Sequence, residues 1–99
     1  MQIKSVRKEV ATAGTREALS STNLFVRKLI IQALSDNTNL VTVGDATVVG
    51  ATATRIGIAL DTDATVRQSD VIVLHDVDLM DVYVDAITNG DGVSYLYTR

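Results

Sequence analysis

The chain has no cysteine, no proline and no tryptophan, and its 99 residues include only one phenylalanine and three tyrosines. Each absence closes off a class of protein. Without cysteine there is no disulfide framework, no thiolate nucleophile and no zinc-finger spacing, so stability must come from packing, bound partners or association with other copies. Without proline, and with no low-complexity linker or internal repeat, no domain boundary is punctuated. Long apolar runs are also missing. Val71-Ile72-Val73-Leu74 is among the longest, so no segment has the length of a bilayer span, and residues 1–8 lack the apolar region of a signal peptide. The chain is therefore expected to be made and used without secretion through a membrane.

What is present describes a folding chain. An apolar fraction of 46% with 21% charged residues is far from the balance that keeps a polypeptide disordered, and the length suits one domain around one core. Charge is unevenly placed. Residues 1–35 carry Lys4, Arg7, Lys8, Arg16, Arg27 and Lys28 against Glu9 and Glu17, while residues 36–99 carry three basic groups against ten aspartates. The first part is basic, the second acidic and the sum is −3. Such opposition suits contact between copies, or between a basic N-terminal arm and an acidic neighbour, although solvated strand faces account for the same pattern. Net acidity argues against general nucleic-acid binding, which needs a basic surface to neutralise phosphates.

Valine, isoleucine and threonine recur along nearly the whole chain in short runs separated by Gly, Asn, Asp or Ser, which is the composition of strands and turns. Strands are expected near residues 3–11, 15–20, 24–34, 40–43, 46–50, 55–60, 64–75, 82–88 and 93–98. Their spacing, with no long helical segment between them, points to an antiparallel sandwich or barrel. The first dozen residues read either as a basic arm or as the first strand, with the sandwich domain over 13–99. Gly44-Asp45 fits a type II′ hairpin or a bulge, and Asn89-Gly90-Asp91-Gly92 fits a closing hairpin between 82–87 and 93–97. Val82, Val84 and Ala86 alternate with Tyr83 and Asp85 as in a strand wet on one side. One segment is ambiguous: Val26, Leu29, Ile30, Ala33 and Leu34 have helical spacing, whereas Phe25, Leu29, Ile31 and Ala33 alternate. The β-rich context and the lack of a partner helix favour a strand.

Chemistry is sparsely signposted. The lone histidine, His75, lies beside Asp76 and Asp78, but in a strand the aspartates share one face and the histidine points to the other, which does not converge on a metal or an acid-base pair. Aspartates 76, 78, 81, 85 and 91 form no calcium-loop pattern and read as surface carboxylates that blunt strand edges. No serine stands in a nucleophile turn and no glycines form a phosphate loop. No catalytic, cofactor or metal residue is assigned, and the chain reads as a non-enzyme. Tyr95 and Tyr97 share a face of the last strand and suit core or subunit-interface packing better than a sugar platform.

As a whole, the run Leu29-Ile30-Ile31-Gln32-Ala33, then Asn37 to Asp45, Gly57-Ile58-Ala59-Leu60, Val71-Ile72-Val73, Asp81 to Ala86 and Gly90 to Tyr97 resembles small β-sandwich virion proteins of tailed phages. The resemblance covers roughly residues 25–98. It departs from many relatives after Leu60, where Asp61-Thr62-Asp63-Ala64 replaces a Leu-x-Pro-Gly turn. What it implies is a jelly-roll-like sandwich of about eight strands, with 29–34 a strand. It further implies a capsid decoration or cement protein, found as a homotrimer on the outer surface of the virion head, bound to the major capsid protein and made in the host cytoplasm. A carbohydrate or host-surface module of a head or tail fibre is the alternative. Lys4, Arg7 and Lys8 are the expected capsid or subunit contacts, with Val82, Tyr95 and Tyr97 for subunit or core packing. No nucleic acid, membrane or cofactor is implied.

Overall fold

The computed structural model describes residues 2–63 and 68–99, and its elements are strands joined by turns. They are β1 (Ile3–Glu9), β2 (Glu17–Ala18), β3 (Phe25–Ala33), β4 (Val41–Gly44), β5 (Ile58–Leu60), β6 (Thr62–Asp63), β7 (Gln68–Ser69), β8 (Val71–Asp78), β9 (Tyr83–Ala86) and β10 (Gly92–Thr98), with 3₁₀ turns at Thr52–Thr54 and Leu79–Asp81. The expected all-β sandwich is what forms. One antiparallel sheet has the order β1-β10-β3-β8 and the other β2-β9-β4-β5, while β6 and β7 form a separate two-stranded pair. β1 pairs with β10, β2 with β9, β3 with β8 and β4 with β5. These are the nested pairs of one long hairpin, with successive pairs placed in alternate sheets.

Alternation along the strands builds the core between the sheets. Val93, Tyr95 and Tyr97 of β10 and Leu29, Ile31 and Ala33 of β3 meet Val41 and Val43 of β4 and Val84 and Ala86 of β9. Each large aliphatic side chain removed from water there contributes about 1.5–3 kcal/mol. Close approach matters at Gly92, which lies opposite Glu9 in the β1–β10 ladder. A Cβ at Gly92 would stand 2.7 Å from the Glu9 Cα and collide with the Lys8 carbonyl.

The segment with helical spacing is β3, and its ambiguity has a structural origin. The β3–β8 register runs unbroken from Phe25↔Asp78 to Gln32↔Val71 except at Arg27 and Asp76, where Asp76 has φ +54°. Both strands change face there. The inward residues step from Val26 to Leu29 on β3 and from Leu74 to Val77 on β8, and the three-residue step imitates a helix.

Four other expectations are corrected. Residues 46–50 are not a strand: they belong to an excursion over 45–57 whose only bridge, among the described residues, is Val49↔Ile56. The Gly44-Asp45 hairpin is absent as well, since β4 pairs with β5, and Asp45 instead starts a turn in which its carboxylate accepts the Thr47 N–H at 2.9 Å. Asn89 to Gly92 does turn, with Gly90 at φ +88°, but the strands it joins lie in different sheets, so no hairpin closes. The β9 strand is not wet on its outer side either. Val48 from the excursion is fully buried and Asp85 is only 3% exposed. Of the strand expected over 64–75, residues 64–67 lie outside the described residues and the remainder belongs to β7 and β8.

The excursion covers the outer face of β4 and β9, leaving Thr42 and Asp85 buried. The Gly50 N–H donates to the Asp85 carboxylate at 2.9 Å, and Gly57, at φ +122°, comes so close to β4 that a Cβ there would lie 2.7 Å from the Val43 carbonyl oxygen. Only glycine meets both demands.

Candidate interaction surface

Among the described residues, the outer face of the first sheet has no such cover. Register sets its side chains in three rows across β1, β10, β3 and β8: Arg7–Ser94–Gln32–Val71, Ser5–Leu96–Ile30–Val73 and Ile3–Thr98–Lys28–His75. The middle row is apolar from Leu96 to Val73. Ile3 is 63% exposed, Val71 51% and Val73 44%, and Phe25 stands exposed at the start of β3. A contiguous apolar stripe rimmed by Arg7, Lys28, Gln32 and His75 has the make-up of a protein-binding face.

The residues expected to make contacts divide between surface and core. Lys4 and Lys8 fall on the inward-facing side of β1 with Val6, while Arg7 falls on the outer face. The three do not form one basic patch. Arg7 Nη2 lies 3.1 Å from Glu9 and 3.3 Å from Asp36, both exposed pairs. Lys8 Nζ meets Glu17 Oε1 at 3.0 Å, and the other Glu17 oxygen accepts the Ala11 N–H at 3.0 Å. The Lys8 hydrogen bond and then the Ala11 N–H hold the Glu17 carboxyl below its ordinary value. This corner ties β1 of one sheet to β2 of the other. Lys4 is exposed, at the rim of the sheet.

Val82, Tyr95 and Tyr97 belong to the core. The tyrosine rings stack with centroids 6.4 Å apart, and the Tyr95 hydroxyl donates to the Leu19 carbonyl at 3.1 Å. Burial, and then the neighbouring Tyr97, push the Tyr95 hydroxyl above its ordinary pKa. At 5% and 6% exposure neither ring offers a face to a sugar.

The His75 region also differs from expectation, because the turned backbone at Asp76 breaks the alternation. His75 and Asp76 are both exposed. Asp78 instead accepts the N–H groups of Leu24 and Met80, each at 2.9 Å, and so caps the Leu79–Asp81 turn. Two aspartates read as surface groups are buried. Asp85 accepts N–H bonds from Gly14, Gly50 and Ala86, and Asp91 accepts them from Thr38 and Asn39. Beside Asp91, the Asn37 side chain exchanges two hydrogen bonds of 2.9 Å with the Gly92 backbone. These groups stitch loops 10–16, 34–40 and 87–92 together at one end of the sandwich. The available sequence signal was the recurrence of Asn and Asp in and around the turn segments, which suit loop-binding side chains as well as surface ones.

A shallow cleft of about 270 Å³ opens between Gly14, Arg16, Val49, Ala51, Asp85 and Ile87. Its charged groups are already engaged: Asp85 holds backbone N–H groups, and Arg16 Nη1 donates to the Val48 carbonyl at 3.0 Å. It works as a seam between β9 and the excursion. Compared with known protein families, curated proteins and solved structures, the chain matches none.

Proposed function

We propose that the chain is a non-enzymatic structural subunit that acts by docking on other polypeptides, and specifically a capsid decoration protein of a tailed phage, bound as a homotrimer to the outer surface of the head. The observation that carries the reading is the apolar stripe on the outer face of the first sheet, where Ile30, Leu96, Val71 and Val73 face outward, whereas residues 45–57 bury Thr42 of β4 and Asp85 of β9 on the outer face of the second. The nested strand pairs support a jelly-roll-like winding, as in the virion proteins the sequence resembles. A subunit that binds only the assembled shell stabilises it by mass action, about 2.7 kcal/mol per site at a hundredfold excess over Kd.

The test is co-sedimentation of the purified chain with phage heads stripped of their outer proteins, for the native sequence and for Ile30→Asp with Val73→Asp. The reading expects the native chain to pellet with heads and the variant, folded by circular dichroism, to stay in the supernatant. Native chain that never pellets removes the decoration role. Equal pelleting of the variant removes this face from it.

A further inference from the structure

Among the described residues, the first sheet ends in two long strands with no neighbour on their outer sides, and they are complementary. Arg99 N–H donates to the Gln2 carbonyl at 3.0 Å and Val10 N–H to the Asp91 carbonyl at 2.9 Å, so the even-numbered residues of β1 bond to β10. Ladder alternation then turns the backbone N–H and C=O groups of Ile3, Ser5, Arg7 and Glu9 to the open side. On β8, Ala33 N–H donates to the Asp70 carbonyl at 3.2 Å. Ile72 and Leu74 therefore bond to β3, and Val71, Val73 and His75 present their backbone groups outward. Neither strand contains the proline or bulge that commonly blunts an edge between residues 71 and 75. The charges are opposite: β1 carries Lys4, Arg7 and Lys8 against Glu9, while β8 and its entry carry Asp70, Asp76 and Asp78.

We propose that β1 of one copy pairs with β8 of a second copy, head to tail, extending the first sheet across the subunit boundary. Strand direction alternates across the sheet, so β1 and β8 run in opposite senses. A neighbour related by rotation about an axis parallel to the strands thus offers β8 antiparallel to β1, the pairing used everywhere else in the sheet. The register that suits the side chains sets Val6 opposite the neighbour's Ile72. Both are inward-facing and only partly buried against their own cores, and each would complete the burial of the other. The same register places Ser5 opposite Val73 on the outer face and Lys8 opposite Asp70, so that the basic strand meets the acidic one. Pairing β1 with itself about Val6 would instead set Lys4 against Lys8, and pairing β8 with itself about Val73 would set Asp70 against Asp76. Head-to-tail contact repeats, giving a ring where the rotation closes and a filament where it does not.

The inference deepens the self-association in the reading above and does not depend on a capsid. Because the chain has no cysteine, two single substitutions on the outer face report the geometry. Opposed residues in this register stand about 5.5 Å apart at Cα, within disulfide reach. Under mild oxidation, Ser5→Cys mixed with Val73→Cys should give mixed dimers, and each variant alone should give none. Val73→Cys coupling to itself, or Ser5→Cys to itself, overturns head-to-tail pairing in favour of a two-fold one. The native chain sedimenting as a monomer at high micromolar concentration overturns the proposal outright. Lys4→Glu, which breaks no bond within the subunit, should weaken association about fivefold; unchanged association would also count against it. Oligomers that form in this way but ignore phage heads leave the edge pairing standing and remove only the decoration role.

Discussion

Thr42 lies on the outer side of β4, where alternation alone would put it in water, yet the excursion over 45–57 leaves it fully buried. Among the described residues its hydroxyl has no hydrogen-bond partner, and an unpaired buried hydroxyl costs about 1–3 kcal/mol. Thr42→Val keeps the branched shape and removes that cost, so it should raise stability by about 1 kcal/mol, seen as a higher urea midpoint at unchanged slope. A lower midpoint would mean that the hydroxyl is paired in solution. Asp85 and Asp91 are the opposite case, buried carboxylates whose oxygens are taken by backbone N–H groups. Sequence could not separate them from the exposed Asp36, Asp76 and Asp81. A carboxylate that satisfies a loop and one that faces water are the same residue type at the same sort of strand end or turn, and only the crossing of distant loops tells them apart.

At the level of elements, β3 and β8 were legible as strands but not in the detail that shapes their surfaces. The switch of face at Arg27 and Asp76 depends on φ +54° at Asp76, a conformation that aspartate tolerates and β-branched residues strongly resist. Asp76→Val should therefore destabilise the protein by about 1–2 kcal/mol, whereas Asp76→Gly should be neutral or mildly stabilising, both read by thermal unfolding. Equal effects of the two would show that the carboxylate, not the backbone, is what matters there. The same pair of strands explains why residues 26–34 carried two periods at once. Residues 46–50 misled for a different reason: Val48 and Val49 have strand composition because they cover a sheet, and burial selects the same side chains as pairing does. The turn at Asn89 to Gly92 was legible because positive φ has a residue signature, but the sheet that receives the next strand is decided by packing far along the chain.

For the molecule as a whole, the all-β class followed from composition and spacing, while the contrast between the covered outer face of β4 and β9 and the apolar stripe on the first sheet required the structure. Stability should depend on pH through the corner that joins the sheets. The Glu17 carboxyl is held below its unfolded value, so its contribution is present above the ordinary glutamate range and is lost as pH falls through the folded value. Between about pH 6 and about pH 3 the native chain should lose more stability than Glu17→Gln, measured by urea midpoints; identical slopes would leave the corner without a role in acid unfolding. The nested pairing has a further consequence for biogenesis. β10 stands in the middle of the first sheet, between β1 and β3, yet it follows every other strand in the chain. A nascent polypeptide emerging from the ribosome can form the β4–β5 and β3–β8 pairs as they appear, but β2 has no neighbour until β9 emerges, and β1 has none and β3 lacks one of its two until β10 clears the exit tunnel, so both sheets are completed only after translation has passed those strands.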